Sequence, residues 1–251
     1  MRVVSLVPSL SHALCDLGCR DMLVGVTNFC VRPADLHRSS SLIGGTKDPN
    51  LQKIADLKPN IILVNTEENK PEDIDFCREI STVIETYPKS PIDVPAMLRT
   101  LGKGLNAVDQ AESYAAKIEE SIGDLAKSDL KKSKKFLYYI WQEPYMIAGI
   151  DTYISRSLEL LGWVNAYDGS DRYPVVSANE VARLSPDIVL LSSEPYPFRV
   201  RDAKKFVEAT GWEAERILKI DGQLLSWYGT LTLEMLKKMS ANEIGAPMIK
   251  R

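Results

Sequence analysis

The sequence predicts an α/β fold of two lobes with parallel sheets, joined by one long helix. Three observations predict it. Strand and helix patterns alternate along the 251 residues, the grammar of parallel sheets covered by helices. One fourteen-residue pattern, 54–67, returns at 181–194. Between the copies, apolar residues recur from Val94 to Leu125 at steps that are mostly three or four, which is one face of a helix.

The elements follow in order. Residues 2–7 read as a strand. Pro8-Ser9 then opens a helix, with Ser9 as N-cap, that stops near Gly18, because a hydroxyl caps free N–H groups and glycine closes helices. Residues 23–27 form a short strand, and 28–48 read as irregular around Gly44-Gly45. A helix over 49–57, a buried strand over 61–65, a helix from Pro71 and a strand over 82–86 complete the first sheet. The second half repeats the scheme: strands over 136–141, 187–192 and 217–221, and helices over 152–161, 178–184 and 200–209, with a last helix from about Thr230. The connecting segment carries Val94, Met97, Leu98, Leu101, Leu105, Val108, Tyr114, Ala115, Ile118, Ile122 and Leu125 on one face. At 1.5 Å per residue, a helix of ~32 residues is ~48 Å long, which suits a spine between lobes that move little on binding. Gly102 and Gly104 are its weak points. The domains are therefore drawn at 1–92, 93–128 and 134–251.

Composition excludes several classes. Apolar residues make up 45%, charged residues 26%, and the net charge is −3, so the basic surplus of a nucleic-acid binder is absent. The one dense basic run, 131–135, reads as a solvated linker. Apolar runs reach about half of the ~20 residues that span a bilayer. Met1-Arg2 leads straight into strand residues, so the chain as written shows no secretory leader and reads as cytoplasmic if Met1 is the native start. His12, Cys15 and Cys19 form a helical stripe, but no fourth ligand follows at metal spacing, and the four cysteines read as buried thiols. No metal or built-in cofactor is expected. There is no G-x-S-x-G, P-loop, G-x-G-x-x-G or C-x-x-C.

The repeat locates the candidate site. Ala55/Ala182, Leu57/Leu184, Pro59/Pro186, Ile61/Ile188, Leu63/Leu190 and Glu67/Glu194 are identical pairs at an offset of 127. Each copy is a helix end, a proline turn, a buried strand and a polar exit. Parallel sheets bind ligands outside the carboxyl ends of their strands. Asn65-Thr66-Glu67 and Ser192-Ser193-Glu194 are therefore expected at corresponding lobe edges, facing a cleft. Aromatics gather at predicted exits of the second sheet: Trp141 to Tyr145, Tyr196 with Phe198, and Trp227-Tyr228. Such a wall suits a wide, flat, partly apolar ligand. The alternative of another class is an enzyme using Glu67 and Glu194 as an acid/base pair.

At these residues the chain resembles the helical-backbone substrate-binding proteins of ABC importers, a periplasmic binding-protein family. RVVSLVPS (2–9), Ile43-Gly44-Gly45 and Asn69-Lys70-Pro71-Glu72-Asp73 carry the likeness in the first half. Arg172 to Ser177, SSEPYPF (192–198) and DGQLLSWYG (221–229) carry it in the second. The last two resemble the cobalamin-binding branch. The resemblance implies two Rossmann-like lobes joined by a backbone helix, and reversible capture, by a monomer, of a metal chelate such as a corrinoid. A heme or ferric-siderophore ligand is the alternative, with Tyr145, Tyr196 or Tyr228 available to heme. It implies site residues Ser9, Phe29, Gly45, Thr66, Trp141, Tyr145, Tyr196 and Trp227, to which the exits add Glu67, Ser193, Glu194 and Tyr228. It also implies an extracytoplasmic location and docking to an ABC permease through acidic residues. Glu72 fits the first of these; its repeat counterpart, Arg199, has the opposite charge. Where the family often has Thr-Glu after its first Ser-Leu, this chain has Ser11-His12.

Overall fold

The computed structural model describes residues 1–128 and 133–249. Lys131 and Lys132 of the basic run lie outside the described residues. The chain forms two compact units. The first takes Met1–Pro88, Asp93–Ile118 and Trp227–Leu231; the second takes Lys89–Ile92, Glu119–Ser226 and Thr232–Arg251. The seams thus fall elsewhere than at the expected boundaries, and a short piece of the C-terminal half belongs with the first unit.

The first unit runs β1 (Val3–Ser5), α1 (Pro8–Asp16), β2 (Leu23–Val26), α2 (Leu36–Ser39), β3 (Ser41–Leu42), α3 (Leu51–Asp56), β4 (Ile61–Asn65), α4 (Pro71–Ile80) and β5 (Thr82–Thr86). Its sheet has the order β3-β2-β1-β4-β5, every pair parallel. All five residues of β4 are buried, as in a parallel strand covered on both faces. Val4, Leu6, Ile54, Ile62, Val64, Ile74 and Cys77 make the core around it.

Two local expectations are corrected here. Ser9 is not the N-cap of α1: Val7 holds that place and Pro8 takes the first turn, where a missing N–H costs nothing. Ser9 is inside the helix and 3% exposed. The stretch 28–48 is not wholly irregular, since it contains α2 and the two-residue strand β3.

The expected single helix is also corrected. It is two helices, α5 (Val94–Leu105) and α6 (Val108–Lys127). The break is at Asn106, which adopts φ 56° and ψ 35°, a left-handed conformation that asparagine tolerates. Its N–H and that of Ala107 both turn back to the Gly102 carbonyl. Gly102 permits this corner, because a Cβ there would lie 2.4 Å from Ala111 Cβ. Val108, placed on the apolar face by spacing, is 54% exposed, since the corner turns it out of that face. Arg99 and Glu112 form a two-bonded ion pair from α5 to α6, both at 2.7 Å.

The second unit runs β6 (Lys135–Trp141), β7 (Met146–Ile147), α7 (Tyr153–Glu159), β8 (Val164–Asn165), α8 (Ala178–Leu184), β9 (Ile188–Ser192), α9 (Val200–Thr210), β10 (Ile217–Ile220), α10 (Gly222–Ser226), α11 (Leu231–Ser240) and β11 (Gly245–Pro247). The sheet order is β11-β10-β9-β6-β7, with β8 beside β6. The centre is parallel as expected. The outer strands β7 and β11 are antiparallel, so this sheet is mixed rather than parallel throughout. Leu137, Tyr139, Val189, Leu191, Phe198 and Phe206 fill the core.

The repeat survives in three dimensions. β4 and β9 are both five-residue, fully buried strands. The residues before the two prolines, Lys58 and Ser185, both take left-handed backbone, with φ 46° and 45°. Each follows a helix and feeds a buried interior strand of its own sheet, so the identical prolines mark one structural device used twice.

Candidate functional site

In the first unit, the exits of β1, β2 and β4 carry the candidate residues. Asn65, at the end of β4, organises its exit as an Asx turn. Its Oδ1 accepts the N–H of Glu67 at 2.9 Å and of Glu68 at 3.1 Å, and its own N–H donates to Asn69 Oδ1 at 2.9 Å. Asn69 Nδ2 donates to the carbonyls of Leu6 and Thr46, tying three loops together. Thr66 is left exposed at the turn, and Lys47 Nζ donates to the Glu67 carbonyl at 2.6 Å. Phe29 is 57% exposed and lies beside Gly45, where a Cβ would be 3.3 Å from its ring and 2.1 Å from Asp48 Oδ1. A larger residue at Gly45 would therefore push the Asp48 carboxylate aside and press on the Phe29 ring.

Trp227 and Tyr228 lie in the first unit, which corrects the expectation that they extend an aromatic wall on the second sheet. Trp227 is 8% exposed and meets the His12 ring edge-on at 6.4 Å. Tyr228 is buried, and its hydroxyl donates to Glu68 Oε1 at 3.1 Å. Burial, then the Glu68 charge, pushes its phenol well above the usual range, while Ser9 and Thr86 beside it oppose the rise. It stays a neutral donor.

In the second unit, the exits of β6 and β9 come together. Trp141 ends β6, is 41% exposed, and meets the Tyr196 ring edge-on at 5.7 Å. Tyr196 continues to Phe198 at 4.8 Å. Tyr145 belongs to the tight turn from β6 into β7 and is half-buried against Tyr139 and Phe206. Ser192 shapes the β9 exit much as Asn65 shapes that of β4. Its Oγ accepts the N–H of Glu194 at 3.2 Å and is held at 2.9 Å by the buried Tyr138 hydroxyl. Ser193 Oγ accepts the Gly222 N–H at 2.9 Å, and Ser226 Oγ donates to Glu194 Oε1 at 3.3 Å. Gly222 is required there, because a Cβ would sit 2.5 Å from Ser192 Oγ and 2.9 Å from the Glu194 nitrogen.

Trp141 and Tyr196 open on a pocket of about 330 Å³ that Gln142, Arg201, Asp202 and Lys205 also line. Sequence reasoning missed these four and Glu143, which also lines the pocket. A larger groove of about 720 Å³ runs past Ser193, Lys219, Asp221 and Lys238 and contains none of the aromatic residues. Among the described residues, no three His, Cys, Asp or Glu side chains gather as a metal site, and no helix is long and apolar enough to cross a membrane. Glu72 is exposed in the first turn of α4, and Arg199 is the N-cap of α9.

A family model described as "Periplasmic binding protein" matches residues 3–241. The chain belongs to the periplasmic binding protein family. This binding protein is 25% identical over 198 residues to a vitamin B12-binding protein of Pectobacterium atrosepticum, an alignment covering 76% of this chain and 71% of the relative. It is 26% identical over 198 residues to a cobalamin-binding protein of Halobacterium salinarum, covering 75% and 53%. Its fold is shared with the periplasmic vitamin B12 binding protein of Vibrio cholerae, with TM-score 0.79, 18% identity and coverage of 96% and 95%. A periplasmic heme-binding protein from Roseiflexus sp. RS-1 matches with TM-score 0.82, 20% identity and coverage of 96% and 97%. These likenesses establish the α/β fold expected from the sequence, and the binding protein resembles the family it was expected to resemble.

Proposed function

We propose that this chain is a substrate-binding protein that captures a corrinoid reversibly, without chemistry on it, at the aromatic strand exits of its sheets. The observation that carries the reading is the exposed Trp141 ring, braced edge-on by Tyr196 at the carboxyl end of the second sheet. Water-exposed aromatic area held in a fixed pose favours a flat apolar face. Within the first unit Phe29 and Thr66 are exposed at strand exits, and within the second Ser193 and Glu194 flank the exit of β9. The curated relatives named for vitamin B12 and cobalamin support the choice of ligand. The solved heme-binding fold relative and the half-buried Tyr196 phenol favour heme as the second reading; Tyr228 is less suited, being buried and bonded to Glu68. Delivery to an ABC permease outside the cytoplasm, with Glu72 as one docking residue, completes the proposal.

Visible spectra test it. Adding cyanocobalamin should give a saturable change in its absorption bands, and Trp141→Ala should weaken binding by roughly 10- to 100-fold, the loss expected for one central aromatic, with folding intact. A Soret shift with hemin and no response to cyanocobalamin would transfer the role to the heme reading.

A further inference from the structure

Gln142 follows Trp141 in the turn from β6 to β7 and lines the pocket that Trp141 and Tyr196 open. It is 5% exposed, and its Oε1 is buried with no hydrogen-bond partner among the described residues. A buried amide oxygen left unpaired is a standing cost that a bound donor removes. The rest of the lining is electrically balanced. Arg201 and Lys205 lie one turn apart on α9, opposed by Glu143 and Asp202. Asp202 is already engaged: one oxygen accepts the Arg199 N–H at 2.8 Å, and the other is 3.5 Å from Arg201 Nε. Both cations are exposed, so solvent screens what they offer an incoming anion.

We propose that Gln142 is a specificity residue that selects a primary carboxamide over a carboxylate on the bound ligand. An amide N–H satisfies Gln142 Oε1 while the amide oxygen faces Arg201 and Lys205. A carboxylate offers no donor, leaves Oε1 unpaired, and adds a third negative group beside Glu143 and Asp202. The same pocket thus separates an amide-fringed ligand such as a corrinoid from one fringed by carboxylates such as heme. The choice of whole ligand rests on the corrinoid reading; the chemistry of the pocket does not.

The test compares cyanocobalamin with its derivatives in which one peripheral amide is hydrolysed to a carboxylate, at neutral pH. The wild-type chain should bind at least one derivative roughly 10- to 100-fold more weakly than the parent, the penalty of one unpaired buried acceptor. Gln142→Met should close that gap while retaining the circular dichroism of the folded chain. Equal binding of parent and all derivatives by the wild type would overturn the inference and leave the corrinoid reading standing. If no corrinoid binds, that reading falls, and benzamide and benzoate probe the pocket alone. A shift of the Trp141 indole N–H signal with benzamide but not benzoate would support the inference without any variant, and equal shifts or none would overturn it.

Discussion

Trp227 and Trp141 show how burial separates two residues that look alike in sequence. Both were expected at strand exits, yet Trp227 follows α10 and is 8% exposed, while Trp141 ends β6 and is 41% exposed. Trp227→Ala is expected to destabilise the chain by about 3–5 kcal/mol, the range for deleting a buried aromatic, measured by urea unfolding. Trp141→Ala should change stability little. Cys77 makes a different prediction. Burial, with the Asp73 charge added, pushes its thiol from 9.0 up to about 11. Below pH 9 the thiol is protonated in folded and unfolded chains alike. Above it the unfolded chain loses the proton first, so stability falls as pH rises and the loss is complete near 11. The effect is roughly 2 kcal/mol. Unfolding at pH 8 and pH 11 should show a smaller drop in Cys77→Ala than in the wild type; an identical drop would remove Cys77 as a cause.

The elements that could be read from the sequence are those with a strong local pattern. Strands 61–65 and 82–86 lie where apolar and β-branched runs placed them, the first fully buried and the second only partly, and the helix over 178–184 is set by its Ser177–Glu180 capping box. Strands of two or three residues, such as β3, β7 and β11, are too short to display a period. The break at Asn106 escaped for another reason: the step from Leu105 to Val108 keeps helical spacing across a left-handed cap. Two substitutions test that corner by thermal unfolding. Asn106→Gly should be neutral or slightly stabilising, because glycine reaches positive φ freely. Gly102→Ala should cost about 1–3 kcal/mol, since its Cβ would meet Ala111 at 2.4 Å.

At the scale of the whole molecule, the fourteen-residue repeat at an offset of 127 predicted two sheets with matched polar exits, and both sheets formed. The return of Trp227–Leu231 to the first unit could not be read from the sequence, because strand-by-strand reading assigns each exit to the sheet it leaves. Gln142 was equally hidden: an orphaned oxygen is a property of burial, not of residue type. The central claim is that the exits bind a corrinoid, and titration calorimetry of the full chain with cyanocobalamin tests it most directly. Expected is one ligand per chain, a Kd of about 1 μM or tighter, equivalent to roughly −8 kcal/mol, and a negative heat-capacity change from apolar burial. Absence of saturable binding at ligand concentrations of about 1 mM, where even binding of roughly −4 kcal/mol would register, would contradict it.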